Sequence, residues 1–168
     1  MEKIAITGSV FSYRIQGRIQ EFEITITDNG SAITGLFFNR ERAAGLKKAE
    51  TPLIQKAAAQ VKEYFAGKRK QFKLPLLMRG TEFQMAVWQA LQEIPYGETR
   101  SYKDIAARIG RPKAVRAVGM ANNRNPISII VPCHRVIGHD GSLTGYGGGL
   151  PLKQHLLELE RTITLPVR

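Results

Sequence analysis

The stretch EFEITITD-NG-SAITGLFF (21–38) limits what this chain can fold into more than any other. Phe22, Ile24 and Ile26 alternate with polar residues at period two, the pattern of a strand that buries one face. Asn29-Gly30 supplies the positive-φ residues of a hairpin turn, and SAITGLFF (31–38) is the return strand. KIAITG (3–8) and VFSYRIQ (10–16) are candidate partner strands. Next comes a helix, TPLIQKAAAQVKEYFAG (51–67): Thr51 caps it, Pro52 fits its first turn and Gly67 stops it. Leu53, Ala57, Val61 and Phe65 recur at helical spacing, so one face packs on the sheet. Nothing in this half looks catalytic.

The basic segment KRKQFKLPLLMRG (68–80) interrupts that pattern with Pro and Gly and marks a domain boundary. The expected division is 1–79, a sheet-plus-helix domain, and 80–168, a mostly helical one; the fold class is α+β. TEFQMAVWQALQEI (81–94) opens the second domain with Thr81 as cap and a stripe of Phe83, Val87, Trp88 and Leu91. Trp88 reads as core. No repeat or low-complexity tract is present.

A chain of 168 residues with 43% apolar residues can bury a sizeable core, and 23% charged residues argue against disorder. It carries 25 Lys+Arg against 14 Asp+Glu, a net charge of +11. That balance selects a polyanionic partner, nucleic acid or an anionic membrane surface. Residues 98–135 hold 8 of the cations and 2 of the anions, more than half of the excess. No apolar run reaches membrane-spanning length, and the N-terminus lacks the basic start and apolar run of a signal peptide. Cys133 is the one cysteine, which excludes an internal disulfide and suits a reducing compartment. With His134, His139 and His155 it forms no metal-ligand spacing, so neither a metal nor a cofactor is expected.

The basic segment reads as a helix-turn-helix, SYKDIAARIGRPKAVRAVGMANNRN (101–125). Ser101 caps a first helix through Ile109, with Tyr102, Ile105, Ala106 and Ile109 inward; Gly110 ends it and Pro112 opens the second. Ala114, Ala117 and Gly119 make that second helix smooth, so it can approach either protein or the floor of a DNA groove. Arg116 lies among them, and Arg111, Lys113 and Arg124 are placed to meet phosphates.

After Asn125-Pro126, Ile127, Ile129, Ile130 and Val131 read as a short buried strand ending at Pro132, which puts Cys133 at a strand end. A lone cysteine is commonly an inert hydrophobe. Here His134 follows it and Arg124 and Arg135 lie nearby, surroundings that lower a thiol pKa and favour nucleophilic work. For His134 to act as base, the backbone must turn there or a water must bridge. A Gly-rich loop around Tyr146 (Gly145, Gly147, Gly148, Gly149) reads as a lid with a stacking face; it is no P-loop. Pro151 starts a final helix with Leu152, Leu156 and Leu159 inward. Glu160 near its end is either a solvated carboxylate or the group that orients His134.

PCHRV (132–136), with Asn125-Pro126 before it and Tyr146 in its glycine loop after it, resembles the active site of the O6-alkylguanine-DNA alkyltransferases, the methylated-DNA–protein-cysteine methyltransferases. The resemblance runs from about Phe83 to Glu160. It implies a small ribonuclease-H-like first domain and a second, DNA-binding domain with a winged-helix-like helix-turn-helix. The implied activity is DNA repair. Cys133 accepts an alkyl group from O6 of a flipped guanine, and from O4 of thymine, in one irreversible, stoichiometric turnover. His134 deprotonates the thiol through water and is held by Glu160. Asn125 is a hinge, Arg116 the finger that fills the gap left by the base, and Tyr102 assists flipping and donates to guanine N3. Backbone groups of Cys133 and Val136 read the base edge; Tyr146, Met120 and the Gly147 N–H complete the pocket. Ala117 and Gly119 join the basic residues at the DNA. The implied partner is duplex DNA containing O6-alkylguanine, bound by a monomer that can act cooperatively on DNA, in the cytoplasm and at the nucleoid of a prokaryote. Some members have serine at position 147 and some carry a zinc in the first domain; this sequence has neither feature. A non-catalytic DNA-binding regulator and a cysteine hydrolase are the rival readings of the residues alone.

Overall fold

The computed structural model describes residues 8–17, 20–38 and 43–164. The chain divides into two compact units, Met1–Leu77 and Met78–Arg168. The candidate strand KIAITG lies outside the described residues apart from Gly8.

In the first unit, β1 (Ser9–Gln16), β2 (Glu21–Asp28) and β3 (Ile33–Phe37) form an antiparallel meander, and β4 (Lys47–Lys48) runs parallel to β1, giving the order β3-β2-β1-β4. Phe22, Ile24 and Ile26 are buried, as their alternation predicts, but Thr25, Thr27 and Asp28 are buried as well, so this inner strand is covered on both faces from Ile24 onward rather than on one. The hairpin differs in detail, because four residues rather than two connect β2 to β3. The Asn29 side-chain oxygen accepts from the Ser31 and Ala32 N–H groups, and Gly30 takes φ 91°, so Asn29 organises a wider loop. The helix α1 (Pro52–Phe65) is capped by Thr51, whose hydroxyl oxygen accepts from the Ile54 N–H. Its buried face is Ile54, Ala57, Ala58, Val61, Tyr64 and Phe65. Leu53 is only half-buried, so the face is centred one position later than the spacing suggested.

The second unit contains α2 (Glu82–Gln92), β5 (Arg100–Ser101), α3 (Tyr102–Arg108), α4 (Val115–Asn123), a 3-10 turn at Cys133–Arg135, β6 (Val136–Ile137) and α5 (Leu150–Thr164). Capping boxes start two of its helices, Thr81 with Gln84 and Ser101 with Asp104. Trp88 is core, and its indole N–H donates to the Ala121 carbonyl at 2.9 Å. Gly110 takes φ 71° and ends the helix-turn-helix's first helix as expected.

Two expectations about the backbone fail here. Pro112 does not open α4. The Ala114 N–H donates to the Arg111 carbonyl at 2.8 Å, so Pro112 is the second residue of a tight turn, and the helix starts at Val115. Residues 127–131 do not form a strand either. The Ile130 N–H closes on the Ser128 carbonyl at 2.8 Å, and Ile129 is forced to φ 70°. That conformation costs a residue of this kind about 1–3 kcal/mol, so the surroundings must hold it. Asn125 does this: its amide donates to the Val131 carbonyl at 2.7 Å and its oxygen accepts from the Ile127 N–H at 3.0 Å.

Candidate active site

That clamped loop delivers Pro132 and then Cys133 into the 3-10 turn. The turn is the change of direction that His134 needs if it is to serve its neighbour. Cys133, His134 and Arg135 are all buried. His134 Nε2 lies 2.7 Å from Glu160 Oε1, and both side chains are almost wholly inaccessible. Glu160 is therefore not a solvated carboxylate. Besides the histidine, it accepts from Arg135 Nε at 2.9 Å, Arg135 Nη2 at 3.0 Å and the Gly97 N–H at 3.0 Å. Glu160 reaches inward because it follows Leu152, Leu156 and Leu159 around the buried side of α5.

Arg135 was expected to activate the thiol, but the structure assigns it to Glu160. It also donates to the Ile94 carbonyl at 2.7 Å and lies over the Tyr96 ring. Arg124 is exposed. The cation that acts on the thiol is Lys153, which the sequence reading missed. Its ammonium donates to the carbonyls of Val136 and Thr144 and stands 3.5 Å from the Tyr102 hydroxyl. Lys153 lies between Leu152 and Leu156 on α5, inside the apolar sector, and that position was the available signal.

The electrostatics follow from burial. The Cys133 thiol is pushed above its ordinary value by burial, which the Asn125 side chain and Lys153 offset only in part. The expectation of a lowered thiol is thereby reversed. Burial also lowers His134, against the upward pull of Glu160, so the imidazole is held neutral and able to take a proton. Burial would raise the Glu160 carboxyl, but His134 and Arg135 outweigh it and hold the group well below the usual carboxylate range. Tyr102 and Tyr146 are both raised, first by burial, and both feel the charge of Cys133. The Tyr102 hydroxyl donates to the Thr144 carbonyl at 2.8 Å, which ties α3 to the glycine-rich loop.

Val136 is buried beside the turn, Tyr146 half-buried and Gly147 exposed. Met120, expected in the pocket, is 59% exposed on α4. Arg111, Lys113, Arg116, Ala117 and Arg124 are exposed and Gly119 half-buried, so these six leave the cationic face of the helix-turn-helix open. Among the described residues no cluster of three His, Cys, Asp or Glu could hold a metal, and no helix is long and apolar enough to cross a membrane.

Comparison with known proteins matches both units. Residues 23–78 fit the ribonuclease-like domain, and residues 82–162 the DNA-binding domain, of 6-O-methylguanine DNA methyltransferase. The constitutive methylated-DNA–protein-cysteine methyltransferase of Bacillus subtilis (strain 168) is 52% identical over 147 residues, covering 83% of this chain and 89% of that one. The chain belongs to the 6-O-methylguanine DNA methyltransferase family. The crystal structure of the Mycobacterium tuberculosis O6-methylguanine methyltransferase superposes with a TM-score of 0.80 at 46% identity, covering 93% of this chain and 95% of that one. A crystal structure of the M. tuberculosis protein in complex with DNA gives 0.79 at 45% identity, covering 94% of each chain.

Within this methyltransferase-family site, Asn122 is the second residue missed from sequence. It is buried on α4, and its amide donates to the Cys133 carbonyl at 3.2 Å. Lys153 itself yields a pH-dependent prediction. Burial brings its amine down to about 8, so it is charged at neutral pH and neutral above. While charged it favours the thiolate. Lys153→Met should therefore slow reaction of Cys133 with a soluble alkylating agent about tenfold at pH 7, as one pKa unit on the thiol would. The gap should close as pH rises through 8, because the native protein then loses the same charge. Parallel pH–rate profiles for the two proteins would contradict this assignment.

Proposed function

We propose that this protein repairs DNA by transferring a methyl or other alkyl group from O6 of guanine to Cys133, once per molecule. The observation that carries the reading is a buried thiol followed directly by a histidine held on a carboxylate, beneath an exposed cationic helix-turn-helix. In this reading residues 80–168 bind duplex DNA and accept the alkyl group, and residues 1–79 form a separate sheet-plus-helix domain. O4-alkylthymine is the second substrate. The protein works in the cytoplasm, which suits a cysteine that must remain a thiol.

Cys133 Sγ attacks the alkyl carbon. The S–C bond forms as the C–O6 bond breaks, and the pair of electrons leaves on the guanine. With Nε2 committed to Glu160, His134 takes the thiol proton through Nδ1, directly or across a water. Tyr102 gives a proton to the departing guanine, exchanging its bond to Thr144 for one to the base, and regains a proton from solvent as the His134 imidazolium releases its own, so one proton passes in net from thiol to guanine. Asn125 acts as a positioning residue through the loop it clamps. The thioether has no leaving group, and the protein is spent. Incubation with duplex containing O6-methylguanine should add one methyl to Cys133, read by mass spectrometry of the peptide. Bound but unmodified protein would defeat the proposal, and release of several methyl equivalents per protein would favour a hydrolase.

Such a transfer requires the base outside the stack, at a cost of a few kcal/mol. Arg116 is exposed on α4 and is the residue proposed to occupy the gap. Arg116→Ala should slow transfer from duplex by about tenfold or more, while reaction with free O6-benzylguanine, which needs no flipping, stays within about twofold. Equal loss on both substrates would remove Arg116 from that role.

A further inference from the structure

We propose that Met120 is a positioning residue for base extrusion: its side chain enters the DNA groove beside Arg116 and covers the base step at the gap, which holds the alkylated base out. This rests on the alkyl-transfer reading above. The large apolar side chains left exposed among the described residues are Val115, Met120 and Leu150, and Met120 is the most exposed of them. A single exposed apolar side chain is ordinary and says nothing by itself. The position of this one does. Arg116, Ala117, Met120, Asn123 and the C-cap Arg124 recur at helical spacing and are all exposed, while Val118, Ala121 and Asn122 are buried. Met120 is therefore at the centre of the open face of α4, with Arg116 one turn before it and Arg124 one turn after.

The guanidinium groups on this face suit phosphates, which line the edges of a groove rather than its floor. Ala117 and Gly119 add little bulk, so the backbone of α4 can come close to that floor. Met120 is longer than either, and a side chain in its place must pass between the phosphates and meet the bases. It donates no hydrogen bond and accepts only weakly, so it does not read base identity. Its unbranched, polarizable chain fits an irregular apolar surface, and methionine is among the side chains that proteins insert at base steps. Extrusion of a base opens apolar base faces to water. Covering them favours the flipped state over the stacked one, because an intact stack offers no such surface. Residues four apart are neighbours on a helix, so Met120 can also bear on the aliphatic stem of Arg116 as that residue enters the gap.

The test measures single-turnover methyl transfer from duplex O6-methylguanine, beside reaction with free O6-benzylguanine, which needs no extrusion. Met120→Ala should slow the duplex reaction about tenfold, the worth of roughly two methylene groups returned to water, and leave the free-base reaction within about twofold. Met120→Leu keeps the apolar bulk and should stay within about threefold of native protein on both substrates. The side chain is exposed, so neither change should unfold the protein, which urea unfolding checks. An unchanged duplex rate in Met120→Ala, an equal loss on the free base, or a loss that leucine does not recover would each overturn the proposal. So would an oligomer of native protein, formed without DNA, that Met120→Ala disperses, because Met120 would then serve a second copy of the chain. If native protein accepts no alkyl group from either substrate, the alkyl-transfer reading fails instead, so the two failures are distinct.

Discussion

Cys133→Ser is expected to end methyl transfer while leaving the protein folded and able to bind duplex DNA. The change replaces one atom at a side chain that is 4% exposed, so the packing around it is nearly retained. The chemistry is not retained. Sulfur is a soft, polarizable nucleophile that attacks an alkyl carbon as its thiolate, and the surroundings of Cys133 already hold its proton tightly through burial. A serine hydroxyl in the same place loses its proton far less readily, and neither Lys153 nor the Asn125 side chain can make up that difference. The expected loss is at least about a thousandfold in single-turnover rate, or some 4 kcal/mol of barrier. Duplex binding, measured by gel shift at fixed salt, should change by less than about twofold, because the cations proposed to meet DNA lie elsewhere, on the exposed side of the helix-turn-helix. Substantial residual transfer would move the nucleophile away from Cys133. Full biological function in the serine protein would favour the regulator reading.

How far such expectations reach from sequence depends on whether a residue's role is written in a period. Glu21–Asp28 was legible as a strand because its apolar residues alternate at period two, but the burial of Thr25, Thr27 and Asp28 on the other face was not, since polar residues carry no sign of it. Two-residue β4 was not, since Lys47-Lys48 carries no pattern and pairs only because β1 lies beside it. Ile127–Val131 was misread for a physical reason. An apolar run declares burial but not φ, and only the side-chain clamp of Asn125 explains how Ile129 is held at 70°. At the site, Cys133, His134 and Glu160 were legible as residue types in a motif. The identity of the cation at the thiol was not. Arg135, adjacent in sequence, turns to Glu160, while Lys153, twenty positions away, comes in on a different helix. Asn122 was missed because a polar residue on a helix carries no sign of burial in its sequence pattern, and this one faces the core.

The largest loss of stability should come from Glu160→Ala, and the way it can be repaired separates the fold from the chemistry. The carboxylate accepts from His134, twice from Arg135 and from the Gly97 N–H. Removing it leaves the guanidinium of Arg135 buried with, among the described residues, the Ile94 carbonyl and the Tyr96 ring. Breaking a buried pair in this way typically costs about 3–5 kcal/mol, a large share of a domain's total. The native pair also sets the acid response. The Glu160 carboxyl sits below its unfolded value, so the unfolded chain binds that proton first, and stability is lost as pH falls below about 4.3. His134, also held below its unfolded value, adds an earlier loss beginning near pH 6.5. Glu160→Gln should shrink the lower limb to the part that Asp104 and Asp140 contribute, both held below the ordinary carboxylate value by hydrogen bonds from Ser101 and Ser142, and keep the upper one in urea titrations across pH. Pairing Arg135→Met with Glu160→Leu removes both charges together, and replacement of a buried ion pair by apolar groups is often neutral or stabilising. That double variant should regain most of the lost stability. Methyl transfer should not return with it, remaining down by about a hundredfold or more, because His134 then lacks the carboxylate that fixes its tautomer and supports its charge. Recovery of transfer alongside stability would show that Glu160 serves the fold alone.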